Sequence, residues 1–211
     1  MAFAYEADQY EVPAESPIER FDRRALEARL READAFDAGE PNQMLDTPLH
    51  PQGDKPDCLL RSAQMAEHQQ TGHDPGLDAF KQPAIERGVY DPGGGVTDLP
   101  QFVEAMNERP DIQAELYRGD GPQDIKDALD HGESVIACVD SYEFYKDVCN
   151  LEPNSGQHAI VVTGAGETAE GGWQFTVNDP NIEVPNVPVD GERFLTAWDA
   201  ANRPMITVEK V

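Results

Sequence analysis

A side-chain amide, a thiol, an imidazole and a carboxylate occur along the chain as Gln52, Cys58, His158 and Asp179. A cysteine that attacks carbonyl carbon needs a site that favours thiolate, a base for the thiol proton, and donors for the oxyanion that forms. Leu59, Leu60, Ala63 and Ala66 follow Cys58 at helical offsets, with Asp57 placed to cap the first turn and Gly72 to stop the helix. Cys58 then falls in the first turn, where the macrodipole and free N–H groups favour S⁻ over SH. His158 opens the β-branched run Ala159-Ile160-Val161-Val162-Thr163, and Asp179 lies just past the next strand-like run, Trp173 to Val177. If those runs pair as an antiparallel hairpin, His158 and Asp179 come side by side. The carboxylate would then hold the ring in the tautomer that faces sulfur.

Alone, each residue has a plain structural reading. Cys58 is a small residue at a helix start, His158 a satisfied histidine, Asp179 a turn former before Pro180, and Gln52 a loop residue. Their joint order carries the chemical reading. Cys138, inside an apolar strand, reads as inert core, and Cys149 as a thiol in a polar loop. His68 and His73 are five apart with Gly72 between them, which is poor spacing for a metal pair, and neither His50 nor His131 has an evident partner. Gly164-Ala165-Gly166 reads as the hairpin loop rather than a phosphate cradle, and Asp91-Pro92-Gly93-Gly94-Gly95 as a flexible connector.

The elements that must position these groups follow from caps and periodicity. Besides the Cys58 helix, Asp98 to Met106 reads as a capped helix with an early proline, and Pro122 to about His131 as another ending at Gly132. Ser134 to Val139, Ala159 to Thr163, Trp173 to Val177 and Met205 to Val208 read as strands, and Glu192 to Ala201 as a short helix. Helices followed by a mostly antiparallel sheet describe an α+β domain. Upstream, Ser16-Pro17-Ile18-Glu19 forms a capping box that starts a helix over residues 17–38, with residues 1–15 as an acidic lead-in. The expected division is an N-terminal acidic segment, 1–45, carrying one amphipathic helix packed outside the domain, and a domain over 46–211.

The chain has 211 residues, 41 acidic against 16 basic, with a formal net charge of -25. That field repels polyphosphate, and no basic patch offsets it, so nucleic acid is excluded as a partner. No apolar run is long enough to span a bilayer. The N-terminus carries acids where a secretory signal needs a basic and then an apolar stretch, so the expected location is cytoplasmic, or outside by a route without such a signal. Three cysteines without a Cys-x-x-Cys spacing give neither a disulfide framework nor a zinc knuckle.

The order Cys, His, Asp, with Cys on a leading helix and the others on a sheet, resembles the papain-like cysteine peptidases. The resemblance is nearest to the C39-like family. It runs over about residues 46–211 through Gln52-x5-Cys58, Ala128-Leu129-x-x-Gly132-x-x-Val135-Ile136, His158 to Gly164, Val177-Asn178-Asp179-Pro180 and Phe194-x3-Trp198. It implies a papain-like fold and a catalytic Cys58, His158 and Asp179, with Gln52 in the oxyanion hole. It also implies a peptide or protein substrate and no metal or organic cofactor. The acidic surface favours basic substrates. Deamidation and acyl transfer run on the same constellation. A different class of function also stays open. Asp57 and Leu59 flank the thiol, and a neighbouring carboxylate opposes thiolate unless it is engaged as the helix cap. Together with the net charge of -25, they motivate the alternative of a non-enzymatic inhibitor, immunity or adaptor protein that uses its acidic surface to capture a basic partner.

Overall fold

The computed structural model describes residues 47–147, 151–153 and 155–211. The helix expected over 17–38, the acidic lead-in and Cys149 lie outside the described residues. The first described helix is α1, Cys58–Thr71, closed by Gly72 in the left-handed region with its N–H on the His68 carbonyl. Two more helices follow, α2 (Asp78–Glu86) and α3 (Leu99–Met106), separated by the short hairpin of β1 (Tyr90–Asp91) and β2 (Gly95–Val96). Then come β3 (Ile112–Arg118), α4 (Pro122–Asp130), β4 (Ser134–Asp140), α5 (Ser141–Tyr145), β5 (Gln157–Glu167), β6 (Trp173–Asn178), β7 (Val187–Asp190), α6 (Gly191–Ala200) and β8 (Pro204–Lys210).

The larger sheet has the order β3-β8-β4-β5-β6-β7, and every neighbouring pair is antiparallel. Its central strand β4 is buried from Ser134 to Val139 because helices cover both faces. On one face Ile136, Cys138, Ala159, Val161, Ile206 and Val208 meet Leu60, Ala63 and Met65 of α1, Phe80 of α2 and Phe102 of α3. On the other, Val135, Ala137, Ile160, Val162 and Phe175 meet Ile125 of α4, Phe144 of α5, and Phe194 and Trp198 of α6. The alternation of side chains along each strand divides one sheet between two cores. This is the α+β arrangement read from the sequence, with a helix bearing the cysteine laid against the strand bearing the histidine.

Two loop readings change. Gly164-Ala165-Gly166 lies inside β5, which runs on to Glu167, and Gly164 pairs with Thr176 across a register shift after Val162. Glycine in a strand marks a bulge as readily as a turn, and here it lets β5 bend and continue. The glycine run after Asp91 is the turn of the β1–β2 hairpin rather than a flexible connector. The Asp91 carboxylate accepts from the N–H groups of Gly93 and Gly94. A Cβ on Gly95 would stand 2.4 Å from the Pro56 carbonyl oxygen, so this turn is pressed onto the chain just ahead of Cys58.

Candidate active site

Cys58 is the first residue of α1 and is half-buried. The helix is fixed against β5 by the Ser62 hydroxyl, one turn on, which donates to the Ala159 carbonyl over 3.1 Å. That bond holds the start of α1 beside the start of β5, where His158 stands. The thiol and the His158 ring are hydrogen-bonded, and the backbone of Ala159 and of Leu59 adds hydrogen bonds to the sulfur. On its other side His158 Nε2 lies 2.7 Å from Asp179 Oδ1. A carboxylate can only accept here, so Nε2 carries the proton and Nδ1 is the nitrogen left for sulfur.

The carboxylate of Asp179 is fully buried and every contact it makes is a donor. Oδ1 also accepts from the Asn181 N–H at 2.8 Å, and Oδ2 from the Tyr145 hydroxyl at 2.5 Å. The Asn181 amide in turn donates to the Tyr145 oxygen over 3.0 Å. Tyr145 and Asn181 therefore fix the carboxylate that fixes the ring. Sequence reading missed both: Tyr145 is 34 residues from Asp179 and only the fold brings α5 to it, whereas Asn181, two residues on, carried a local signal as the partner of an Asp179 turn.

These contacts set the charges. Burial works against a charged imidazole, but the Asp179 carboxylate outweighs it by charge and hydrogen bond, and Cys58 adds to it, so His158 is pushed up to about 10. For Cys58 burial again opposes the charged form, and the hydrogen bond and positive charge of His158 overcome it, so the thiol is held below its ordinary range. The two shifts have one origin, the action of each group on the other, and run towards thiolate and imidazolium. Cys138 has no such partner. Burial, and then the charge of Cys58, push it up to about 12, as an inert core thiol requires.

Asp57 and Leu59 sit otherwise than their positions in the sequence imply. The Asp57 carboxylate makes no cap on α1; only its backbone carbonyl serves the helix, accepting from Arg61 N–H at 2.8 Å. The side chain turns away to Lys81 Nζ, at 3.0 and 3.2 Å, and to the Tyr90 hydroxyl at 2.6 Å. The Lys81 ammonium also stands over the Tyr90 ring, 4.7 Å from its centre. An ammonium neutralises the carboxylate better than cap N–H groups would, which removes the expected opposition to thiolate. Leu59 is buried in the core under α1.

Gln52 is buried and lies beside the same turn, its N–H donating to the Pro180 carbonyl at 2.8 Å. Asn178 ties down the same segment through the Thr47 carbonyl, at 2.7 Å. The Gln52 amide is the noteworthy part. Both its oxygen and its nitrogen are buried with no hydrogen-bond partner among the described residues, a costly state for a side chain with no ligand to meet. The structure thus brings Cys58, His158 and Asp179 into one chain of contacts and anchors Gln52 on the residue after Asp179.

No known family's sequence profile matches the chain, and no curated protein does. Solved structures do match. A C39-like peptidase assignment from Bacillus anthracis superposes with a TM-score of 0.58 at 14% identity, over 82% of this chain and 98% of that one. The Amb a 11 cysteine protease, a ragweed pollen allergen in its proform, gives 0.53 at 12% identity, over 97% of this chain and 67% of that one. A double-glycine-motif protease of a transporter, in complex with its leader peptide, gives 0.46 at 19% identity over 80% and 94%, too distant to carry an argument. The chain has the papain-like fold shared with C39-like cysteine peptidases.

Proposed function

We propose that the protein is a cysteine-dependent hydrolase of the peptidase kind, with Cys58 as nucleophile, His158 as acid and base, and Asp179 orienting the ring. The observation that supports this reading best is the continuous contact from the Cys58 thiol through His158 to the buried Asp179, with thiol and ring shifted towards thiolate and imidazolium. In this mechanism the Cys58 sulfur attacks the carbonyl carbon of a bound peptide or amide. The oxyanion is received by the unpartnered Gln52 amide and by the Cys58 N–H, one of the groups a helix start leaves without an intrahelical acceptor. His158 gives its proton to the departing amine, leaving a thioester. Water then adds to that thioester as His158 takes its proton, and collapse returns the acid and the thiolate.

The binding-protein alternative was motivated by the net charge of -25, which stands, together with Asp57 and Leu59. With Asp57 paired to Lys81 and Leu59 in the core, neither residue favours it. No helix among the described residues is long and apolar enough to cross a membrane.

The test is incubation with a mixed peptide library in ¹⁸O-water, read by mass spectrometry. Peptide hydrolysis places the heavy oxygen in a new terminal carboxyl, deamidation places it in a side-chain carboxyl, and acyl transfer leaves it out. The expected result is new termini that carry the label and vanish with Cys58→Ala. Products unchanged by Cys58→Ala would contradict the assignment of the nucleophile.

A further inference from the structure

Two histidines that sequence reading left unpaired meet on the far side of α1 from the sheet. We propose that His50, His68 and Asp74 form a binding site for a divalent first-row transition ion of the zinc type, separate from the Cys58 site and independent of the hydrolase reading. One ligand atom from each of the three side chains lies within 4.8 Å of the others. His50 Nε2 is 3.1 Å from His68 Nδ1 and 3.9 Å from Asp74 Oδ1. Two nitrogens bound to one ion at about 2.0 to 2.1 Å lie roughly 3.0 Å apart at a right angle and about 3.4 Å apart at the tetrahedral angle. The nitrogen pair already stands at that spacing, and the Asp74 carboxylate, within 4.8 Å of both, completes the set by a side-chain rotation towards them.

The surroundings are arranged as a ligand set requires. Asp74 is oriented by donors, the Gln64 amide at 2.7 Å and the Gly76 N–H at 2.9 Å, and Gln64 is itself held by Arg61 at 2.8 Å. Both bonds fall on Oδ1 and fix the carboxylate, which leaves Oδ2 as the oxygen for the ion. Arg61 is the nearby cation and is partly screened by its bond to Gln64. His50 and His68 are half-buried and Asp74 is exposed, which leaves the remaining coordination positions to water.

Two imidazoles and a carboxylate suit zinc and its first-row neighbours rather than calcium or magnesium. The site joins the last turn of α1 and the loop after Gly72 to the segment before Gln52, only two residues beyond His50. A bound ion would therefore clamp the strap that carries Gln52. His68 was weighed against His73, its neighbour in sequence; its partner in space is 18 residues back, a separation no helical spacing rule reaches.

The experiment uses the full chain carrying Cys58→Ala, so that the thiolate is not a competing ligand, stripped with chelator and titrated with zinc by calorimetry and with cobalt(II) by visible absorption. The expected result is one equivalent bound and a rise in melting temperature. The cobalt spectrum should have ligand-field bands but no thiolate charge-transfer band. Affinity should fall at least tenfold in His68→Ala and in Asp74→Asn, and stay unchanged in His73→Ala. Asp74→Asn keeps size and sits at the surface, so a folding defect in the histidine variant does not decide the matter. Zinc binding that is absent, many-fold in stoichiometry, or indifferent to both His68→Ala and Asp74→Asn would overturn the proposal and leave a plain hydrogen bond between two rings.

Discussion

Replacing His158 with alanine is expected to slow alkylation of Cys58 by iodoacetamide about tenfold or more at neutral pH and to change how the rate depends on pH. In the wild type the thiol is held below its ordinary range and the imidazolium persists to about 10, so the rate should be flat through neutrality up to that value. Without the ring, burial pushes the thiol up against only the backbone hydrogen bonds of Ala159 and Leu59, and the thiol returns to or above an ordinary value near 8.5. At pH 7 only a few per cent or less would then be thiolate, and the higher nucleophilicity of a more basic thiolate offsets part of that loss. The variant's rate should keep climbing through and beyond pH 8.5 while the wild type stays level. A flat profile in both proteins would mean that His158 does not set the charge of Cys58.

The second large effect belongs to Lys81. Asp57 has a side chain only 3% exposed, and its neighbours are the Lys81 ammonium and the Tyr90 hydroxyl. Lys81→Met leaves that carboxylate buried without its counter-ion, and breaking a buried pair in this way costs roughly 3 to 5 kcal/mol. Lys81 is 24% exposed, so the lower end applies, about 3 kcal/mol, or a melting temperature lowered by roughly 6 to 12 °C for a chain of this size. The same change places an unneutralised negative charge next to Cys58 and should slow its alkylation. Adding Asp57→Asn should recover most of both losses, since the stranded charge is then gone. Lys81→Met with unchanged melting and labelling would show that the ion pair has no bearing on the site.

Sequence reading found the elements that announce themselves at their ends. The Cys58 helix has Gly72, α3 has Asp98, whose carboxylate accepts from Gln101 N–H, and α4 has Pro122, so caps and breakers marked them without tertiary information. The His158–Asp179 hairpin was legible because β-branched alternation and an intervening turn specify pairing locally. Elements without such marks were missed. In α2 a proline, Pro83, sits inside the helix, and the buried stripe is only Phe80 and Ala84. The strand β7 is four residues with Pro188 among them, tolerated because β7 is an edge. The order and types of the candidate site residues were readable as a pattern. Of the groups that hold them, Asn181 is a local neighbour two residues past Asp179, whereas Tyr145, Lys81 and Tyr90 come from elements whose placement depends on the whole fold. Asp57 shows the same limit: its capping position was plain, but a lysine 24 residues away takes the side chain instead.

The central claim is that a Cys58 thiolate stands beside a His158 imidazolium at neutral pH. It is tested most directly by following the ultraviolet absorbance of thiolate against pH in the wild type and in Cys58→Ser. The difference between the two curves isolates one sulfur. The expected difference is a full thiolate signal already present at pH 7, appearing at a pH well below that of an ordinary thiol and persisting through the loss of the His158 proton near 10. A difference signal that appears only above pH 8 would mean that Cys58 rests as a neutral thiol, and would contradict the ion pair on which the proposed chemistry depends.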